Sequence, residues 1–205
     1  MVARVDALEG HLGRLVVGQV DESQHQFLLL LVGVVGTLAV RRSGTRLLRR
    51  ISSDLARGVV PGDLLVLAGE MGAGKTAFAQ GFARGLGVTD PVTSPTFTIV
   101  REYAGERLAL HHLDVYRLDQ IREVTDLGVA EMLDEDAVML VEWGDAVLPA
   151  LGDHYLEVRI TFGEGDDDRL VELTPRGGTW TARGRILTET VAPWCAGKNE
   201  SEGRS

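Results

Sequence analysis

A single cysteine, Cys195, leaves no partner for an intramolecular disulfide and too few thiols for a cysteine-rich zinc site. That scarcity fits a reducing cytoplasm, the compartment expected for this chain. Positive charge is short as well. Against 30 Asp and Glu stand 21 Lys and Arg, and the formal net charge of −9 argues against a broad basic footprint for nucleic acid. The strongly apolar stretch Phe27 to Val40 falls short of the roughly 20 residues that a membrane-spanning helix needs. Its flanks are also wrong for a secretory signal: Asp21 and Glu22 precede it, Arg41 and Arg42 follow it, and no small-residue cleavage site is evident. No membrane association is expected. The run reads either as an extra apolar element laid on the domain or as an extension from an upstream translation start. Internal repeats are missing, and Asp166-Asp167-Asp168 has no calcium-loop pattern around it, so it reads as a solvated hairpin tip.

What is present is an ordinary globular composition, 44% hydrophobic and 25% charged, long enough at 205 residues for one domain with a real core. We divide it into an N-terminal extension of unknown role (1–42), a domain (43–190) and a disordered tail (191–205). The domain is organised around Val59 to Thr76. Pro61-Gly62 is a turn, Leu64 to Ala68 is a short buried strand, and Gly69-Glu70-Met71-Gly72-Ala73-Gly74-Lys75-Thr76 satisfies G-x-x-x-x-G-K-[ST]. Thr76 opens a helix over Ala77 to Leu86, with Phe78, Phe82 and Leu86 at steps of four. Glycines let the loop curl so that its N–H groups point at phosphate oxygens, and the helix N-terminus adds its positive dipole. In this motif Lys75 reaches the terminal phosphates and Thr76 ligates magnesium, so a nucleoside triphosphate and Mg2+ are the expected ligands.

Around that centre the chain alternates in the manner of an α/β protein. Leu47, Leu48, Ile51 and Leu55 mark a helix face, with Arg46, Arg49 and Arg50 on its solvated side. Ile99 to Tyr103 and Leu108 to Asp114 form a hairpin across Gly105. Leu118 to Leu127 is expected to be helical. Ala137 to Val141 is apolar without interruption, as a parallel strand buried on both faces should be. Tyr155 to Phe162 and Leu170 to Leu173 alternate as an antiparallel hairpin. The expected fold is a three-layer P-loop domain with a mixed, mainly parallel central sheet and that hairpin at its C-terminal side.

Hydrolysis needs acidic groups opposite the phosphate loop, at the C-terminal ends of neighbouring strands. Asp114 and Glu142 occupy that place, and Glu142 after a buried apolar run is the Walker B pattern in its glutamate form. Trp143, beside it, reads either as core or as a residue against the nucleotide. Ser94 and Thr96 lie where a switch loop senses the third phosphate. Of His111 and His112, His111 is the one read as able to face the active side; neither is assigned a metal. Three other readings stay open. A small-molecule kinase would show an arginine-rich lid, which the Arg101 to Arg122 region does not obviously supply. A GTPase would show N-K-x-D, yet the one asparagine is Asn199 in the tail, which favours ATP. A nucleotide-gated assembly factor would not need both acids.

The motifs Gly69 to Thr76, Thr93-Ser94-Pro95-Thr96-Phe97, Leu113-Asp114-Val115-Tyr116-Arg117-Leu118 and Leu140-Val141-Glu142-Trp143, in that order, resemble the bacterial TsaE (YjeE) family. This is the small ATPase of tRNA threonylcarbamoyladenosine biosynthesis. The resemblance covers about Thr45 to Leu173. Glu70-Met71 replaces the commoner Asp-Leu or Pro-Leu, and Gly144 stands where proline is frequent. Residues before Arg42 have no counterpart. The resemblance implies a magnesium-dependent ATPase, weak alone, that supports a complex of TsaB and TsaD. That complex moves a threonylcarbamoyl group from an adenylate to the adenosine beside the anticodon, so the chain would meet tRNA only through its partners. It also implies site roles: Gly69 to Ala77 and Trp143 at the nucleotide, Lys75 on the terminal phosphates, Thr76, Asp114 and Glu142 at the magnesium and water side, and Thr96 as a switch.

Overall fold

The computed structural model describes residues 16–17, 30–31, 38–95, 99–116, 132–133, 136–144, 148–163 and 168–195. In chain order these form short strands β1 (Val16–Val17) and β2 (Leu30–Leu31), which pair with each other, then β3 (Leu38–Ser43) and α1 (Gly44–Ala56). The P-loop unit follows as β4 (Leu64–Ala68) and α2 (Lys75–Gly85). After it come β5 (Val100–Tyr103), β6 (Ala109–Asp114), β7 (Ala137–Glu142) and a helical turn α3 (Leu148–Leu151). The chain then continues through β8 (Tyr155–Phe162), β9 (Asp168–Arg176), α4 (Gly177–Ala182) and α5 (Gly184–Cys195).

Seven strands make one sheet in the order β3-β9-β8-β4-β7-β6-β5. The central run β8-β4-β7-β6 is parallel throughout, while β5, β9 and β3 are added antiparallel at the two flanks. The burial of each strand explains its sequence. β4 and β7 are buried at every position, so an unbroken apolar run is what they require, whereas β8 and β9 bury alternate residues. One face carries Leu65, Leu67, Leu110, Leu140, Val158 and Leu173 against α1, α2 and the C-terminal helices. The other carries Leu64, Val66, Leu113, Met139 and Val141 against Leu151, Leu133 and Leu148. Helices thus cover one face and the helical turn α3, with Leu133, packs on the other, which agrees with the layered α/β arrangement expected.

Two elements extend the domain past the limits read from sequence. β3 pairs with β9 in register from Leu38↔Leu173 to Ser43↔Asp168, which brings residues 38–42 into the sheet. At the other end α5 runs to Cys195, and its Trp194 indole N–H donates to Asp54 of α1 at 3.0 Å. The helix expected over Leu118 to Leu127 lies outside the described residues, as do Asp166 and Asp167.

Candidate nucleotide site

The phosphate loop follows from β4 turning sharply at its end. Gly69 has φ +140°, and a Cβ there would sit 2.1 Å from the carbonyl oxygen of Ile160 in β8, so only glycine fits. Gly74, in the left-handed conformation, caps α2 without any side-chain hydrogen bond. The first-turn N–H groups of α2 are thereby left to an anion, with the helix dipole behind them. Helix α2 begins at Lys75, ahead of the expected Ala77, and Ala77 is already buried inside its first turn. Glu70 and Met71 form the exposed tip, and Ala73 is buried at the base.

Lys75 lies back across its own loop. Its ammonium donates to the carbonyls of Gly69 at 2.7 Å and Glu70 at 2.9 Å, and it rests 3.4 Å from the centre of the Trp143 ring. Trp143 thus stands over the loop lysine while also packing, half-buried, against the second core cluster. Its backbone is left-handed, with φ 63°, a conformation rare for a bulky side chain and found where a fold is strained for function. The Trp143 N–H donates to Leu67 at 2.9 Å, and its ring packs 4.8 Å from Tyr116.

The acids are where the strand ends put them. Asp114 and Glu142 are register partners at the ends of the parallel pair β6 and β7, and both are buried. The Thr76 hydroxyl donates to Glu142 Oε2 at 3.2 Å. Ser94 donates to Asp114 Oδ2 at 2.5 Å, and the Tyr116 N–H donates to Oδ1 at 3.1 Å. The structure therefore joins Lys75, Thr76, Glu142 and Trp143 in one contact chain and ties Ser94 to Asp114. Thr96 lies outside the described residues. No three of the described His, Cys, Asp and Glu residues stand close enough to cage a metal by themselves. What the site offers is an oxygen set, the Thr76 hydroxyl and the two carboxylates. Such a set suits a magnesium ion that keeps phosphate and water among its ligands.

Two residues of this neighbourhood escaped the sequence reading. His112, not His111, faces the active side: its Nε2 lies 2.9 Å from Glu142 Oε1, while His111 Nδ1 sits 3.6 Å from Glu102. Strand parity was the available signal, because His112 is two residues before Asp114 and must share its face. Arg169 in β9 is the other. It donates from Nε to the Ala73 carbonyl at 3.0 Å and lies 4.5 Å over the Phe162 ring. A charged residue on the inward face that Val171 and Leu173 share was the sign of it.

A β4–α2 unit joined by this loop, within a run of parallel strands and with acids on the neighbouring strand ends, defines a P-loop NTPase fold. Comparison with known proteins carries the assignment further. The sequence model of the family described as "Threonylcarbamoyl adenosine biosynthesis protein TsaE" matches residues 43–171. The chain is 41% identical over 136 residues to the "tRNA threonylcarbamoyladenosine biosynthesis protein TsaE" of Bacillus subtilis, spanning 66% of this chain and 82% of that protein. Its likeness of the same description in Streptomyces coelicolor is 40% identical over 139 residues, 65% of this chain and 93% of the relative. Among solved structures, Bacillus subtilis YdiB superposes with a TM-score of 0.65 at 36% identity, covering 76% of this chain and 96% of that one. The chain belongs to the TsaE family, whose place is tRNA threonylcarbamoyladenosine biosynthesis.

Proposed function

We propose that this chain binds ATP with Mg2+ at the loop Gly69–Thr76 and hydrolyses it, supporting threonylcarbamoylation of the adenosine next to the tRNA anticodon through a TsaB–TsaD-type complex in the cytoplasm. The observation that carries the reading is the Thr76–Glu142 contact. It brings the last residue of the P-loop to a carboxylate on the adjoining strand, the pairing that a bound metal–phosphate group needs. Thr76, Asp114 and Glu142 would hold the magnesium, which neutralises charge on the phosphates. The loop N–H groups and Lys75 bind the phosphate oxygens, for which Lys75 exchanges its two loop carbonyls. Glu142 and Asp114 orient the water whose oxygen bonds to the terminal phosphorus as the bond to the ADP oxygen breaks. ADP and inorganic phosphate leave, and the water's proton passes to phosphate or solvent. Trp143 shields the Lys75 side of the site. RNA contact falls to the partners, consistent with the net charge of −9.

The test is ATP turnover by the purified chain, with and without the TsaB–TsaD complex of the same organism. Stimulation by the complex is expected, and Glu142→Gln should lower turnover on the order of 10²-fold, the scale of a lost acid–base or water-orienting group. Turnover that appears only when a small acceptor is supplied, and yields a phosphorylated acceptor, would replace this reading with a kinase.

A further inference from the structure

We infer that His112 is a positioning residue for Glu142. Its imidazole holds carboxylate oxygen Oε1 from within the core, so that Oε2 stays directed at Thr76, where the metal–phosphate group is proposed to bind. The inference rests on the Mg–ATP reading of the site and deepens it.

Glutamate at a strand end is one methylene longer than aspartate and has one more free torsion, so its carboxylate needs outside support to keep one orientation. The structure supplies that support from two sides. Thr76 donates to Oε2 at 3.2 Å, and His112 Nε2 lies 2.9 Å from Oε1. The two donors differ in kind. The Thr76 hydroxyl is a rotor on the phosphate loop and can turn its lone pairs to a cation. The His112 ring is fully buried in β6, on the face that packs against α2, with Tyr103 beside it at 6.5 Å between ring centres. Nε2 is the ring nitrogen engaged with the carboxylate, which leaves Nδ1 to find a partner elsewhere. Nδ1 is buried without a hydrogen-bond partner among the described residues. An unpaired buried nitrogen opposes folding, and an apolar side chain would avoid it. The polar contact set against that loss is the one to Glu142, which places the role of His112 at the carboxylate. Outer partners of metal ligands act in this way, and their loss lowers metal affinity or activity about 10–100-fold.

Three variants of the full chain test it: His112→Leu, His112→Gln and His112→Asn. The Gln amide nitrogen reaches the place of Nε2, whereas the shorter Asn reaches only that of Nδ1. ATP binding is measured by calorimetry in EDTA and then across a magnesium titration, beside kcat, KM and the thermal midpoint. The expected result is metal-free ATP binding within about twofold of wild type in all three. The magnesium dependence should shift by about 10-fold or more in the Leu and Asn variants, kcat should fall by a similar factor with KM little changed, and Gln should recover most of both. A folded Leu variant with the wild-type magnesium response would overturn the inference. So would Gln and Asn variants that behave alike, and that pair decides the matter if the Leu variant does not fold. A wild-type chain that binds no ATP would instead remove the underlying reading, and the inference with it.

Discussion

Lys75 shows what a single residue contributes here. Its ammonium is nearly buried, satisfied by two loop carbonyls and covered by the Trp143 ring. Each of those contacts can be exchanged for a phosphate oxygen of full negative charge, a stronger partner than a carbonyl. Replacing Lys75 by Ala removes the charge and leaves the loop curled, so ATP binding measured by calorimetry should weaken on the order of 10²-fold. Undiminished binding would mean that the loop amides alone hold the nucleotide. Arg at this position should not rescue, because a planar fork cannot fold into the space that a point charge occupies.

The helix pair α1 and α2 behaves differently from what helix propensity alone suggests. Gly81 lies inside α2, where Ala would ordinarily be about 1 kcal/mol better. Here a Cβ would meet the Arg49 carbonyl oxygen at 2.1 Å and Ser52 Oγ at 2.2 Å, so the two helices would have to separate. Gly81→Ala should therefore destabilise by about 1–3 kcal/mol in urea unfolding, the range for overpacking, and a gain would show that α1 can slide. On strand β8, Glu157 accepts from Arg159 at 2.9 Å and from Arg176 of β9 at 3.1 Å. Burial pushes its carboxyl up, but the hydrogen bonds and charges of the two arginines outweigh it and hold the pKa below the ordinary 4.5. Its stabilising effect is thus complete above 4.5 and is lost as acid carries the pH down through the folded value. Both arginines are half-exposed, so the effect is small. Glu157→Gln should cost up to about 1 kcal/mol at pH 7, and its deficit against wild type should shrink on acidification below 4.5. A deficit that stays constant with pH would assign the loss to packing.

Over the whole molecule the ends of the domain are tied back to its first strands. Arg183, between α4 and α5, donates to both oxygens of Asp63 at the start of β4, and Asp63 also accepts from the Val60 N–H at 2.8 Å. Arg183→Ala leaves a buried carboxylate short of its cation, and we expect a loss of about 3 kcal/mol in chemical denaturation, with the transition still cooperative. A loss under about 0.5 kcal/mol would mean that Asp63 is solvated in the variant. What could be read along the chain was whatever depends on neighbours in sequence. The P-loop spacing, the unbroken apolar runs of β4 and β7, the alternation of β8 and β9, and the acids closing β6 and β7 all follow from local geometry and burial. The family resemblance rests on those same stretches, and the match over residues 43–171 agrees with it. What only the tertiary structure decided depends on register and approach between distant segments. That Leu38–Ser43 is an edge strand follows from a partner about 130 residues away, and the C-terminal helix buries its apolar face by packing on α1 and β3. His112 meets the site through Glu142 of the neighbouring strand, and Arg169 through the Ala73 carbonyl of the phosphate loop. Their chemistry is set by which group stands within about 3 Å, and a linear order of residues does not contain that distance.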